Sequence, residues 1–327
     1  MLRAHRIGIL TALIAQGLAG EAPLDRLTPS GRPGFHVDYD GSDKPAPKWE
    51  NGYVLAYDNE SGNTPLVSVF GPSGSKVFGT QLVLDGFSGL RIRTIAASLK
   101  GTVAVAGGAY DAAGVITSLI AYLDSAGRPA HVIKLEGFVP ILLCFTADGR
   151  LWVAGRVKPG PGLEDPPDHD MVRIYDENGK LQSSLLRRSS FSKGDRLVSS
   201  LSLLAASSHK VVFFNYETGD LAEMSHDGEV LATRRVPLPP QTFATGLALS
   251  DASEIAISSQ RPDPARQGGE LVDTSLLDAN ANRWVTIYSG DVNKRELYGQ
   301  VFGFKGESML VGAYHPGIRF SWVRIKE

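Results

Sequence analysis

The chain has 327 residues, with 33 Lys plus Arg against 35 Asp plus Glu, a formal net charge of -2, 36 Gly, 19 Pro and one Cys. That balance offers no broad basic field for a nucleic acid and no acidic tail, so nucleic acid is not an expected partner. The lone Cys144 excludes an intramolecular disulfide framework and any Cys-cluster zinc or iron–sulfur site, leaving packing and backbone pairing to hold the fold.

Residues 1–22 begin with Arg3, His5 and Arg6, run through apolar Ile7 to Ala15, and finish in Gly17, Ala19, Gly20 and Ala22. This is the tripartite pattern of a secretory signal peptide, cleavable after Ala19 or after Ala22. Its apolar run is shorter than the roughly 20 residues a bilayer-spanning helix needs. No cysteine follows to take a lipid. A short buried N-terminal helix is the competing reading. The expectation is an exported chain, periplasmic or extracellular, whose residues 23–327 form a single domain without a transmembrane span.

Beyond residue 50 no long segment repeats its apolar residues every 3.6 positions; short β-rich runs alternate with Gly, Asp, Asn, Ser and Pro turns. Two hairpin units recur. The first is an apolar strand, a tight turn and a second strand ending in small residues. Ile95–Leu99, Lys100-Gly101 and Val103–Gly107 form one copy, and Leu142–Phe145, Ala147–Gly149 and Leu151–Gly155 the next. Further copies lie around Ser207–His209, Asp251–Ser253 and Lys305-Gly306. The second unit is an outer hairpin turning on Asp or Ser plus Gly, at Gly71–Gly74, Asp124–Gly127, Asp176–Gly179 and His226–Gly228.

Repeats of roughly 40 to 50 residues mark propeller blades of four antiparallel strands. Six blades are expected near 35–88, 90–138, 140–190, 197–238, 242–290 and 296–327. The sixth lacks its outermost strand, which a segment between Pro23 and Asp40 supplies, closing the ring and removing two sheet edges. A β-sandwich with a satellite domain is the alternative. The units Phe145–Gly155 and Ile174–Leu181 resemble blades of the six-bladed propellers of the NHL and TolB-like superfamily, exported bacterial members in particular. That resemblance implies the fold and no particular activity. The YVTN and Trp-Asp signatures of other propeller families are absent.

In such a ring the connections from second to third strand and from blade to blade leave one face, and here they are the long ones. They carry the candidate ligand-binding residues: Tyr110 and Asp111, Arg156, Asp168 and His169, Arg261 and Asp263, and Tyr314 and His315. Asp168, His169 and Asp170 are the one tight cluster of hard ligands, suited to calcium or zinc, set against a rigid solvated loop as the plainer reading. Asp278–Asn282 begins like a calcium loop, but Arg283 stands where Gly is needed, so an outer-hairpin turn is expected there. No Gly-x-Ser-x-Gly elbow, His-Glu-x-x-His pair, phosphate loop or dinucleotide fingerprint is present. The favoured expectation is a non-enzymatic exported propeller that binds a protein, peptide or glycan, with no cofactor required. The alternative is a metal-dependent hydrolase, lyase or lactonase at the channel mouth, drawing on Asp111, Asp168, His169, Asp263 or His315.

Overall fold

The computed structural model describes residues 26–39, 46–60, 64–158, 168–191, 202–291, 300–314 and 317–325. The signal peptide expected at 1–22, with its cleavage sites, lies outside them.

The described chain begins with two short strands, β1 (Leu27–Pro29) and β2 (Phe35–Val37). Blade one follows as β3 (Lys48–Glu50), β4 (Tyr53–Asp58), β5 (Leu66–Phe70) and β6 (Lys76–Gln81). Blade two is β7 (Phe87–Ala97), β8 (Val103–Asp111), β9 (Ile116–Leu123) and β10 (Pro129–Lys134). Blade three is β11 (Phe138–Phe145), β12 (Leu151–Val157), β13 (Asp170–Tyr175) and β14 (Leu181–Arg187). Blade four is β15 (Ser202–Ala206), β16 (Lys210–Asn215), β17 (Asp220–Ser225) and β18 (Val230–Arg235). Blade five is β19 (Phe243–Leu249), β20 (Ile255–Pro262), β21 (Glu270–Asp278) and β22 (Arg283–Asp291). Blade six is β23 (Gln300–Lys305), β24 (Ser308–Tyr314) and β25 (Ile318–Ile325), with β1 and β2 both antiparallel to β25.

Each sheet is an antiparallel meander, and the first strands of successive blades lie beside one another all the way round, β23 beside β3 included. The protein is an all-β six-bladed propeller. Six apolar clusters fill the six spaces between neighbouring blades. Leu55, Val69 and Val105 pack between blades one and two, and Ile120, Phe138 and Val153 between two and three. Trp152 and Phe213 lie between three and four, and Phe214 and Ile257 between four and five. Ile287 and Val311 follow between five and six, and Val54 and Phe320 between six and one. Two-sided packing explains why a second strand such as β16 is buried at every position, whereas an outer strand such as β18 exposes alternate residues.

The recurring turns have a common cause. Asp124 Oδ1 accepts the backbone N–H groups of Ala126 and Arg128, both at 2.9 Å, while Gly127 adopts φ of 79°. Asp176 repeats this with Asn178 and Lys180, both at 2.9 Å. On the same face the turns interlock: Arg150 reaches Asp148 in its own turn at 2.5 Å and Asp227 of the next blade at 3.1 Å. Burial works to raise the Asp148 carboxyl, but hydrogen bonds from Arg150 and Thr146 outweigh it and bring its pKa to about 2.

The small residues that end the second strands also have a physical role. Four inner strands shift register by one residue, between Ile92 and Thr94, Pro140 and Leu142, Ala244 and Gly246, and Val301 and Gly303. Such bulges bend the inner strand and press its carbonyls against the second strand. A Cβ on Gly107 would lie 2.0 Å from the Arg91 carbonyl oxygen, and one on Gly155 would lie 2.4 Å from that of Val139. By contrast, a Cβ on Gly108 would meet Ile116 Cγ2 at an ordinary 3.6 Å. Gly107→Ala is therefore expected to cost at least about 2 kcal/mol in urea unfolding, whereas Gly108→Ala stays within about 0.5 kcal/mol of wild type.

Ring closure occurs where the sequence placed it, with a difference in detail. Two short strands replace the single one expected. β1 pairs with Val323–Ile325 and β2 with Ile318–Phe320. Between them the chain crosses at Gly34, where a Cβ would lie 2.4 Å from the Phe320 carbonyl oxygen. Residues 35–37, expected to open the first blade, thus complete the sixth, and blade one starts at Lys48.

Candidate functional site

The connections β8–β9, β12–β13, β20–β21 and β24–β25 all join second to third strands. In a ring of identical meanders they leave the same face. Short interlocked turns occupy the other.

On the β8–β9 hairpin, Asp111 Oδ1 accepts the N–H groups of Ala113 and Val115, both at 2.9 Å. These bonds, with that from Val115 first, hold its carboxyl below the usual carboxylate range. Asp111 therefore builds the turn. What the turn presents is apolar: Tyr110 is 45%, Val115 59% and Ile116 55% exposed. Tyr110 and Ile116 are directly opposed across the ladder, so their side chains stand together. The Tyr110 ring lies against Gly89, whose Cβ would come within 3.0 Å of it.

On blade three, Asp168 accepts hydrogen bonds from the Ser189 hydroxyl at 2.9 Å and the Ser189 N–H at 3.0 Å, which lower its pKa. Asp170 lies 3.7 Å from Arg187 on the neighbouring β14. His169 is buried and turns toward β12, its Nε2 accepting the Val157 N–H at 3.3 Å. The cluster singled out for metal thus splits, two carboxylates toward one neighbouring strand and the imidazole toward the other. No group of three or more His, Cys, Asp or Glu disposed to hold an ion occurs among the described residues. Arg156 and Lys158 are exposed at the end of β12 and make no ion pair among the described residues, and Lys158 Nζ reaches the Ile116 carbonyl at 3.5 Å.

On blade five, Arg261 Nε bonds Asp273 Oδ2 at 2.5 Å, and the Ser289 hydroxyl donates to the other oxygen at 2.6 Å. Asp263 Oδ1 accepts the Ala265 N–H at 2.9 Å as a turn former. Arg266 makes two bonds to Asp291, at 3.0 and 3.1 Å. Arg261 and Arg266 are thus paired, whereas Arg156 and Lys158 of blade three make no ion pair among the described residues. The Tyr314 side chain, His315 and the 159–167 stretch lie outside the described residues.

Sequence reasoning missed a polar group inside the ring. Glu50, at the end of β3, is buried; its Oε1 accepts the Phe145 N–H at 2.5 Å and its Oε2 the Ala97 N–H at 3.2 Å. Lys48 pairs with it at 2.9 Å and also donates to the Leu143 carbonyl. One carboxylate therefore ties the inner strands of blades one, two and three. Burial is the largest influence on it and raises its pKa, against the lowering effects of Lys48 and the two N–H groups. Cys144, next to Phe145 in sequence, is buried with its thiol pKa pushed up chiefly by desolvation, as for an inert core side chain.

No protein-family model matches the chain, and no curated protein matches it. Solved structures do. A member of the duf4221 family from Bacteroides vulgatus is 9% identical, with a TM-score of 0.54 over 93% of this chain and 99% of that one. A protein named as an exported one from Bacteroides fragilis is 11% identical, with a TM-score of 0.53 over 94% of this chain and 98% of that one. The periplasmic gluconolactonase of Pseudomonas aeruginosa is 12% identical, with a TM-score of 0.45 over 90% of this chain and 87% of that one. At these identities the likeness is one of fold.

Proposed function

We propose that this is an exported recognition propeller that binds a protein, peptide or glycan through its long-loop face. The observation that carries the reading is the β8–β9 tip, where Tyr110, Val115 and Ile116 are all solvent-exposed on one hairpin. Apolar side chains gathered on one hairpin beside Lys158, which like Arg156 has no acidic partner among the described residues, have the composition of a contact surface. The turn face offers recognition less, because its Asp, Arg and Ser side chains are consumed in blade-to-blade bonds. The signal-like residues 1–22 support export. The alternative of a metal-dependent hydrolase, lyase or lactonase rests chiefly on His315 and the acidic 159–167 stretch, since the described candidates Asp111, Asp168, His169 and Asp263 are held in local hydrogen bonds.

The test is selection of binders from peptide and glycan libraries on the mature protein, followed by affinity measurement on two variants. The double variant Tyr110→Ser, Ile116→Asp is expected to weaken the selected ligands at least about tenfold, the loss typical of a central interface anchor. Leu99→Asp, on the opposite face, should leave them unchanged. Ligands indifferent to the first variant and sensitive to the second would refute the assignment of the face.

A further inference from the structure

The six blades can be compared with one another by register, and one layer differs. On the face that each blade turns to its predecessor, the second inward position of the second strand is Val105, Val153, Phe213, Ile257 and Val311 in blades two to six. In blade one it is Ala56. The strands beyond offer no compensation, because Ala56 is opposed by Ser68 and Ser68 by Gly79. Blade two reads Val105, Ala121, Val132 across the same row, and blade four Phe213, Ala222, Thr233. Three small residues in one row leave space where the other blades place a branched or aromatic side chain.

That space is a cleft of about 500 Å³ between blade one and the closing segment that follows β2. The volume is that of a small-molecule site. Ala56, Ser68, Leu66 and Phe70 line it from the sheet of blade one, and Tyr39 lines it from the closing segment. Its charged groups have opposite signs: Asp38 and Asp58 line it, as does Lys76. The Lys76 side chain folds back across Gly79, whose Cβ would lie 2.5 Å from Nζ, so the missing side chain at 79 is what lets the ammonium lie over the sheet. Neither Asp38 nor Lys76 has an ion-pair partner among the described residues. Asp58, whose Oδ1 also accepts the Glu60 N–H at 2.7 Å, and Gly79 are two strands and two residues apart, which sets their backbones roughly 12 Å from each other.

We propose that this seam cleft binds a short zwitterionic peptide of two or three residues with small apolar side chains. Its ammonium meets Asp38 and Asp58, its carboxylate meets Lys76, and its side chains lie on Leu66 and Phe70. An extended tripeptide spans roughly 10 Å, close to that separation. The site is separate from the long-loop surface and does not depend on that reading.

Titration calorimetry of the mature protein with trialanine, and with trialanine blocked at both ends, tests the proposal. Saturable binding of free trialanine is expected, with at least about tenfold weaker binding of the blocked peptide. Ser68→Leu, which fills the row, should abolish it. Lys76→Met, an exposed substitution that leaves the core intact, should weaken the free peptide severalfold and leave the blocked peptide unchanged. Should Ser68→Leu fail to fold, as judged by circular dichroism, Lys76→Met alone decides. No saturable binding at millimolar peptide overturns the proposal, as does binding that Lys76→Met does not alter.

Discussion

Removal of residues 26–39 is expected to prevent the protein from folding as a monomer. The segment supplies both closing strands, buries Leu27 and Val37, and stacks Phe35 on Phe320 with ring centroids 4.7 Å apart. Its backbone also reaches beyond blade six, since the Arg26 N–H bonds the Ile287 carbonyl of blade five at 3.0 Å. Burial of Leu27 and Val37 with partial burial of Phe35 contributes about 5 kcal/mol, comparable with the whole stability of many domains. Its loss also leaves β25 as an unpaired edge in the blade that must dock on blade one. Size-exclusion chromatography and thermal melting of the truncated protein should show aggregation or loss of the cooperative transition. A monomer with an unchanged melting temperature would mean that the ring does not need its N-terminal strands.

Glu50→Ala is expected to be the most damaging single truncation of a polar side chain, costing about 3 kcal/mol in urea unfolding at pH 5. It strips the acceptor from two backbone N–H groups, those of Ala97 and Phe145, each worth roughly 1 to 3 kcal/mol when left unmade in the interior. Lys48 is less exposed to the loss because it is partly solvated, with 29% of its side chain accessible. Glu50→Gln does not rescue the site, because the amide must turn a donor toward one of the two N–H groups. The pH dependence follows from the raised pKa of a buried carboxyl. The stability that a raised acid contributes is complete below the ordinary glutamate range and is lost as pH rises through the folded value. The difference between wild type and Glu50→Ala should therefore be largest in mild acid and shrink toward alkaline pH. A difference that grows as pH rises would show the opposite shift.

The turns made the fold legible. Asp124, Asp176 and Asp111 accept the same two N–H groups each time, so a local chemical requirement repeats in the sequence wherever the chain reverses. Small residues such as Gly107 and Gly155 were equally visible because a bulged carbonyl excludes a Cβ there. The first blade was harder to bound. Its inner strand β3 is only Lys48-Trp49-Glu50, with two charged residues in three, because those charges serve the interior of the ring rather than an apolar layer. Nothing local marks a carboxylate whose partners are 47 and 95 residues away. The same holds for the seam cleft, which exists only as a difference between blade one and its five counterparts.

The candidate residues show where sequence reasoning stops. Asp111 and Asp263 stood out as acids in long connections, yet their carboxylates make the turns that carry those connections. Arg261 looked free in the sequence but is consumed by Asp273 across the ladder. The exposed pair Tyr110 and Ile116 was half visible: Tyr110 was singled out as an aromatic in a loop, whereas nothing in the sequence singled out Ile116. Burial within β9 begins in earnest only at Ser118, once the hairpin has come down into the sheet.

The central claim is a six-bladed ring fastened by its own N-terminal segment, and a crosslink tests it most directly. His36 and Arg319 are opposed across β2 and β25, and both are exposed. The double variant His36→Cys, Arg319→Cys in a Cys144→Ser background should form an intramolecular disulfide on mild oxidation, since opposed residues in an antiparallel pair have the required spacing. The account predicts a faster-migrating monomer on non-reducing gels, independent of protein concentration and reversed by dithiothreitol. Free thiols that persist, or crosslinks found only between molecules, would contradict it.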